Sequence, residues 1–188
     1  MNLAPLGRHL LGERQAVNKF GQAGKGADKR IRRSLVLLRK AEAGDSAAIS
    51  ACLAAAFARF RDQYTPEAYA DTVPNADGIL RRMREMNVLV AVSDGAIVGT
   101  LGYTVNGSEG HLRGMAVVPE WQGTGVASDL LAAVETELQQ RGCDSITLDT
   151  TEPLQSAIRF YQNRGYCRWG RTADFFGMPL YEYRKLLF

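Results

Sequence analysis

Apolar residues recur along this chain at two periods, and the switches between them mark the elements. Leu35-Val36-Leu37-Leu38 is a short apolar run that predicts a first strand. Asp45 then stands as a plausible N-cap before Ile49, Cys52, Leu53, Ala56, Phe57 and Phe60, the stripe of one helix face. Thr65-Pro66-Glu67 opens a second helical stretch, with a capping hydroxyl and a proline at the first helical position. A short helix is expected over Ile79 to Met86. Strands follow at Asn87–Val92 and Ala96–Val105, joined by Ser93-Asp94-Gly95, where Asp-Gly supplies positive φ. Asn106-Gly107 turns into a third strand over 110–118, in which Leu112, Ala116 and Val118 alternate with Arg113, Met115 and Val117. From Ala127 the period changes again: Ala127, Leu130, Leu131, Val134 and Leu138 lie on one helix face, and Arg141-Gly142 ends it.

Ser145–Thr150 is the next strand, and Thr151-Glu152-Pro153 opens a helix that runs to about Asn163 and stops at Gly165. Two closing strands are expected at Tyr166–Gly170 and Met178–Leu187. Strand, helix and strand over 110–150 with so short a crossover imply a parallel pair joined right-handedly. The remaining strands form hairpins. The predicted class is therefore α/β: a mixed, mostly antiparallel sheet with one parallel pair and helices on both faces.

The stretch His111 to Ala127 concentrates the candidate chemistry. Pro119 ends the strand, since it has no N–H for a ladder. Gly123 and Gly125 remove side chains from the turn, so a ligand can approach the backbone. The first N–H groups of the helix that follows lack internal partners and carry the positive end of its dipole, which suits a phosphate or pyrophosphate. A turn that merely needs positive φ reads the same way. A Walker loop would require Gly-Lys-Ser/Thr, where this chain has Gly125-Val126-Ala127. A dinucleotide fingerprint would need a third glycine at Ser128, although Asp149 at the end of the next strand keeps that reading open.

Gln122, Gly125 and Ala127 form Gln-x-x-Gly-x-Ala, which resembles the acyl-CoA-binding signature of the GNAT superfamily of N-acetyltransferases. Phe160-Tyr161-Gln162-Asn163-Arg164-Gly165-Tyr166 resembles the second signature of that superfamily, an aromatic-Tyr-x-x-x-Gly-aromatic run. The two lie about one βα unit apart. The resemblance covers roughly residues 34–188, with its specific motifs inside 111–166.

The resemblance implies the GNAT-like fold, with a splayed parallel strand pair, and an acetyltransferase that takes acetyl-CoA and no metal. It places the pantetheine arm of acetyl-CoA against the backbone of Met115, Ala116 and Val117, with the Val117 N–H as a donor to the thioester oxygen. Its phosphates would meet the turn and first helical residues: Gln122, Gly123, Thr124, Gly125, Val126, Ala127 and Ser128. Tyr161 becomes the general acid for the leaving thiolate, and a phenol starts protonated at neutral pH. The acceptor amine needs a base. Glu109 and His111 both stand at the start of the relevant strand, and an imidazole ordinarily exchanges its proton near neutrality. Relatives often carry an Asn where this chain has Leu154, a loss of one hydrogen bond in which Gln155 could substitute. Tyr64 and Tyr69 would either line a substrate mouth or pack.

Charge divides the chain. Residues 1–40 hold ten Lys or Arg against Glu13 and Asp28, so the net +3 belongs to an arm and the remainder is acidic. Residues 1–33 lack sustained periodicity and read as a basic flexible extension before a domain over 34–188. Low acidity gives them only a faint look of a transit peptide. The cluster Lys29-Arg30-Ile31-Arg32-Arg33 lacks interleaved aromatics, so nucleic acid is not an expected partner beyond non-specific phosphate contact. No apolar run reaches membrane-spanning length. Cys52, Cys143 and Cys167 have no disulfide or metal spacing, which points to a reducing, cytoplasmic setting. A homodimer is compatible with all of this. The acceptor is expected to be the primary amine of a small molecule, peptide or protein. The competing reading is a non-catalytic acyl-CoA-binding regulatory module of the same fold.

Overall fold

The computed structural model describes residues 36–187. The basic extension expected over residues 1–33, and Leu35 of the first expected strand, lie outside them. Seven strands form one sheet: β1 (Leu37–Lys40), β2 (Asn87–Ser93), β3 (Ala96–Asn106), β4 (Glu109–Val117), β5 (Ser145–Thr151), β6 (Cys167–Phe175) and β7 (Met178–Leu186). Their spatial order is β1-β2-β3-β4-β5-β7-β6. Only β4 and β5 run parallel; every other neighbouring pair is antiparallel. Five α-helices connect them: α1 (Ser46–Phe57), α2 (Pro66–Thr72), α3 (Ala76–Glu85), α4 (Val126–Gln140) and α5 (Gln155–Gln162). This is the element order that the hydrophobic periods predict.

Each face of the sheet has its own core. On one, Val126, Leu130, Leu131, Val134 and Leu138 of α4 pack with Ile158 and Tyr161 of α5 over Leu101, Tyr103, Ile146 and Leu148. On the other, Ile49, Cys52, Leu53 and Ala56 of α1 and Ile79 of α3 cover Val90 and Ala116. Burial pushes the Cys52 thiol up to about 11, so it serves as a small apolar side chain.

Local caps follow the sequence with two exceptions, Asp45 and the Thr151-Glu152-Pro153 helix start, since Thr151 ends β5 and α5 begins only at Gln155. Thr65 accepts from the Ala68 N–H (3.3 Å), with Pro66 beside it. The Asp94-Gly95 hairpin has φ values of 50° and 78°. Asp45, expected to cap α1, gives its carboxylate instead to Arg39 (2.6 and 2.9 Å) and to the Glu42 N–H (2.8 Å). The Arg39 guanidinium holds that carboxyl below the usual carboxylate range. A charged, two-pronged partner outcompetes a single helix N–H.

The strict alternation expected over 110–118 fails at one residue. Gly114 has φ +68°, and the β3–β4 register shifts there, so β4 carries an extra residue. Leu112 and Val117 consequently face the α4 side, and Ala116 faces α1. Glu109, His111 and Arg113, which precede the bulge, point to the α1–α3 side.

Close packing fixes the base of the parallel pair. A Cβ added at Gly110 would sit 2.5 Å from Leu138 Cδ1 and 3.1 Å from its Cγ, and Leu138 is fully buried. Gly110→Ala is therefore expected to destabilise the fold by about 1–3 kcal/mol, read as a lower urea midpoint at unchanged slope.

Candidate active site

The parallel pair is hydrogen-bonded only at its start. Glu109, Gly110, His111 and Leu112 register with Ser145, Ile146, Thr147 and Leu148, and pairing ends there although both strands continue. Beyond that point β4 and β5 diverge. The Val118 N–H donates to Val98 on β3 (3.0 Å), so strand alternation turns the Val117 N–H to the opposite, open edge. The Val117 carbonyl on that edge accepts from Gln122 Nε2 (2.9 Å), which ties the following turn to the strand.

The turn leads into α4 through two left-handed glycines, Gly123 at φ 72° and Gly125 at φ 105°. The first intrahelical bond runs from the Asp129 N–H to the Gly125 carbonyl (3.0 Å). The N–H groups of Val126, Ala127 and Ser128 thus precede the helical ladder, at the positive end of a helix that spans 126–140. Thr124 is turned inward, and its hydroxyl donates to the Trp121 carbonyl (2.6 Å).

A cavity of about 810 Å³ opens along this edge. Of the residues singled out in the sequence, His111, Met115, Ala116, Val117, Gln122, Gly123, Gly125, Ala127, Ser128 and Tyr161 line it. Thr124, Val126 and Glu109 do not. Val126 is fully buried in the core, and Glu109 stands behind Thr147. Leu154 lines the cavity as expected of its position. Gln155 does not replace the missing amide there, because its Nε2 is bonded to the Glu152 carbonyl (2.8 Å) and faces solvent.

Tyr161 closes the cavity from α5. Its hydroxyl donates to Met115 Sδ (3.2 Å) across the open edge, and burial pushes the phenol well above its ordinary value. It therefore stays protonated in the neutral range. Gly165, at φ 85°, reverses the chain so that Tyr166 returns to stack edge-on against Tyr161 at 5.5 Å. That reversal is the physical content of the Tyr-x-x-x-Gly-aromatic spacing.

His111 enters from the opposite face. Thr147 Oγ1 lies 3.0 Å from its Nδ1, 3.2 Å from Glu109 Oε1 and 3.4 Å from the Gly110 carbonyl. The single Thr147 hydroxyl proton can go to only one of these three neighbours. On the other side of the ring, His111 Nε2 lies 3.7 Å from Asp149 Oδ2, so the imidazole sits between a hydroxyl and a carboxylate.

Several cavity residues carry no sequence signal, because their partners are distant in the chain. Arg164 was hidden inside the second signature: its guanidinium covers the Phe160 ring at 3.7 Å and donates to Ser128 Oγ in the first turn of α4. The four-residue spacing from Phe160 was the clue. Tyr64 lines the cavity with its hydroxyl 2.6 Å from Thr151 Oγ1, whereas Tyr69 packs edge-on behind it. Thr150 Oγ1 is buried on the cavity wall with no partner among the described residues.

A profile of the acetyltransferase (GNAT) family matches residues 50–166. The chain belongs to the GNAT acetyltransferase family. N-alpha-acetyltransferase 30 of Schizosaccharomyces pombe is 29% identical over 79 residues, 42% of this chain and 53% of that protein. The chain spans about half the length of the curated relatives it matches. A GCN5-related N-acetyltransferase from Rhodopseudomonas palustris superposes with a TM-score of 0.67 at 25% identity, covering 80% of this chain and 95% of that one. PaiA N-acetyltransferase from Thermoplasma acidophilum, solved with coenzyme A, gives 0.67 at 15% identity over 81% of this chain and 99% of that one, a likeness of fold. The fold of the GNAT family is the mixed sheet described above, and no described helix is long and apolar enough to cross a membrane.

The GNAT turn yields a direct test. Any Cβ at Gly125 meets a backbone of φ 105°, which disfavours L-residues by about 1–2 kcal/mol, and a branched side chain would also stand where the cavity meets the helix N-terminus. Gly125→Val is expected to abolish acetyl-CoA binding by calorimetry while the far-ultraviolet dichroism stays that of the folded chain.

Proposed function

We propose that this GNAT protein transfers an acetyl group from acetyl-CoA to a primary amine of a small molecule or peptide, by direct attack of the amine on the thioester. The observation that carries the reading is one cavity that joins an unpaired β4 edge, the free N-terminus of α4 and the buried Tyr161 hydroxyl.

Acetyl-CoA supplies the acyl group as an activated thioester. The residues present suit it. The N–H groups of Gly125 to Ser128 and the Arg164 guanidinium would hold phosphate oxygens. The open backbone of Met115 and Val117 would accept and donate to an amide-bearing arm, and the orphaned Thr150 hydroxyl offers one more bond. The Val117 N–H would polarise the acyl carbonyl. His111 Nε2 takes the proton of the acceptor ammonium, and Asp149 stabilises the imidazolium that results. Tyr161 gives its proton to the departing sulfur. Base and acid act from opposite faces of the sheet, through the gap between β4 and β5.

A non-catalytic acyl-CoA-binding module is the second reading, favoured by the apolar Leu154 at a position lining the arm. Release of free CoA in the presence of amines separates the two.

Calorimetric titration with acetyl-CoA, CoA, NAD and ATP tests the cofactor first: saturable binding of acetyl-CoA and CoA alone is expected. Tyr161→Phe should lower kcat by about 10²-fold or more at unchanged acetyl-CoA affinity. His111→Gln should lower kcat by a similar factor and more than Glu109→Gln does; the reverse order would make Glu109 the base.

A further inference from the structure

The acceptor end of the cavity carries charges that the reaction itself does not require. Asp71 on α2, Arg82 on α3 and Arg113 on β4 meet there, and all three line the cavity. Arg113 Nη2 lies 2.7 Å from Asp71 Oδ2, and Arg82 Nη2 lies 3.6 Å from Oδ1 while also donating to the Asp71 backbone carbonyl. Two guanidiniums therefore share one carboxylate. The Arg113 side chain is 44% exposed, so it faces the cavity rather than the core. Burial and the neighbouring Arg113 push the Arg82 guanidinium below its ordinary value, against the smaller pull of Asp71 and Glu85. With Glu85 nearby, two guanidiniums and two carboxylates gather here, and Asp71 is the carboxylate that both guanidiniums contact.

Two residues back along the same strand the sign reverses. His111 pairs with Asp149 at 3.7 Å, with Glu109 behind Thr147. The wall thus runs from a carboxylate beside His111 to a guanidinium pair that shares the Asp71 carboxylate. A strand advances about 3.4 Å per residue, which sets the Cα atoms of His111 and Arg113 about 7 Å apart on one face of β4. A small acceptor that carries both an amine and a carboxylate is of the size that meets two neighbouring side chains on one strand face. Facing them, Phe57, Phe60, Tyr64 and Phe175 supply an apolar surface for a third substituent.

We infer that the acceptor is a zwitterion: a free amino acid with an apolar or aromatic side chain, its amine at His111 and Asp149 and its carboxylate at Arg113 and Arg82. This rests on the acetyltransferase reading and names the acceptor for that same site. A peptide amine would bring a neutral amide to the guanidiniums, and a polyamine would bring a cation.

The test is CoA release from acetyl-CoA with leucine and phenylalanine, their amides, isopentylamine and phenethylamine, and a leucine-headed tripeptide. The free acids should exceed their amides and decarboxylated amines by about 10- to 100-fold in kcat/KM, through KM, since a hydrogen bond to a charged group has that worth. Arg113→Gln should reduce the acid-to-amide ratio to about one, and Arg113→Lys should keep most of it. Acetyl-CoA affinity verifies that each variant is folded. Equal turnover of acids and amides, a preference for the tripeptide, or equal losses for acid and amide in Arg113→Gln would overturn the inference and leave the acetyltransferase reading standing. Acetyl-CoA binding with no turnover of any amine would overturn both.

Discussion

Two parallel strands that start hydrogen-bonded at Glu109 and Ser145 stop pairing after Leu112 and Leu148, and that divergence is the constraint on which the site depends. A backbone edge left unpaired inside a protein is costly unless something satisfies it. Here the edge is kept open from both ends. The Gly114 bulge adds a residue to β4 on the side of β3 and re-aims the strand. The Tyr161 side chain then reaches across the gap to Met115 from α5. The Gln122 amide satisfies the Val117 carbonyl and fixes where the turn begins, which leaves the adjacent N–H facing the cavity. The same few residues that keep the strands apart therefore define what a ligand arm can bond.

The short motifs of the chain express this constraint. Gln122 holds the edge of β4, Gly123 and Gly125 allow the left-handed turn, and Ala127 keeps the helix start free of a large side chain. Gly165 permits the reversal that brings Tyr166 back against Tyr161, so the catalytic candidate is supported by its own motif. Tyr166 is in turn held by Glu135 of α4 (2.9 Å), which Lys185 of β7 also contacts (2.8 Å). The two signatures, distant in sequence, share one packed unit of α4 and α5. Arg164 joins them directly by covering Phe160 and reaching Ser128.

Whatever depends on local spacing was legible in the sequence. The element order, the hairpin at Asp94-Gly95, the Thr65 cap and the two-glycine turn before α4 follow from periodicity and turn chemistry within a few residues. The parity of β4 was not legible, because Gly114 in an apolar strand reads as an ordinary small residue until its φ is known. Asp45 was misread as a helix cap because its true partner, Arg39, competes from the neighbouring strand. The cluster of Asp71, Arg82 and Arg113 was invisible for a stronger reason. Asp71, Arg82 and Arg113 come from three elements, and no spacing predicts that α2, α3 and β4 converge. Thr147 carried no motif either, yet its hydroxyl lies within hydrogen-bond reach of both His111 and Glu109.

The division of the sheet into two faces gives these observations one logic. The α4–α5 face supplies glycine backbone, a helix N-terminus and a buried phenol, all suited to a ligand with phosphates and a sulfur. The α1–α3 face supplies an imidazole, two carboxylates and a guanidinium pair on an aromatic wall, suited to a small polar acceptor. Because β4 pairs with β5 at its start and not at its end, the two sets of groups meet only where the strands separate. In the proposed reaction a proton taken by His111 on one face and one given by Tyr161 on the other need no shared path. Placing the two groups on opposite faces of the sheet also lets their environments differ. Tyr161 sits in an apolar core that raises its phenol above the ordinary value, whereas His111 stands partly exposed beside Asp149. The roles proposed for the two groups therefore rest on different surroundings, an apolar core for the one and a polar, partly open face for the other.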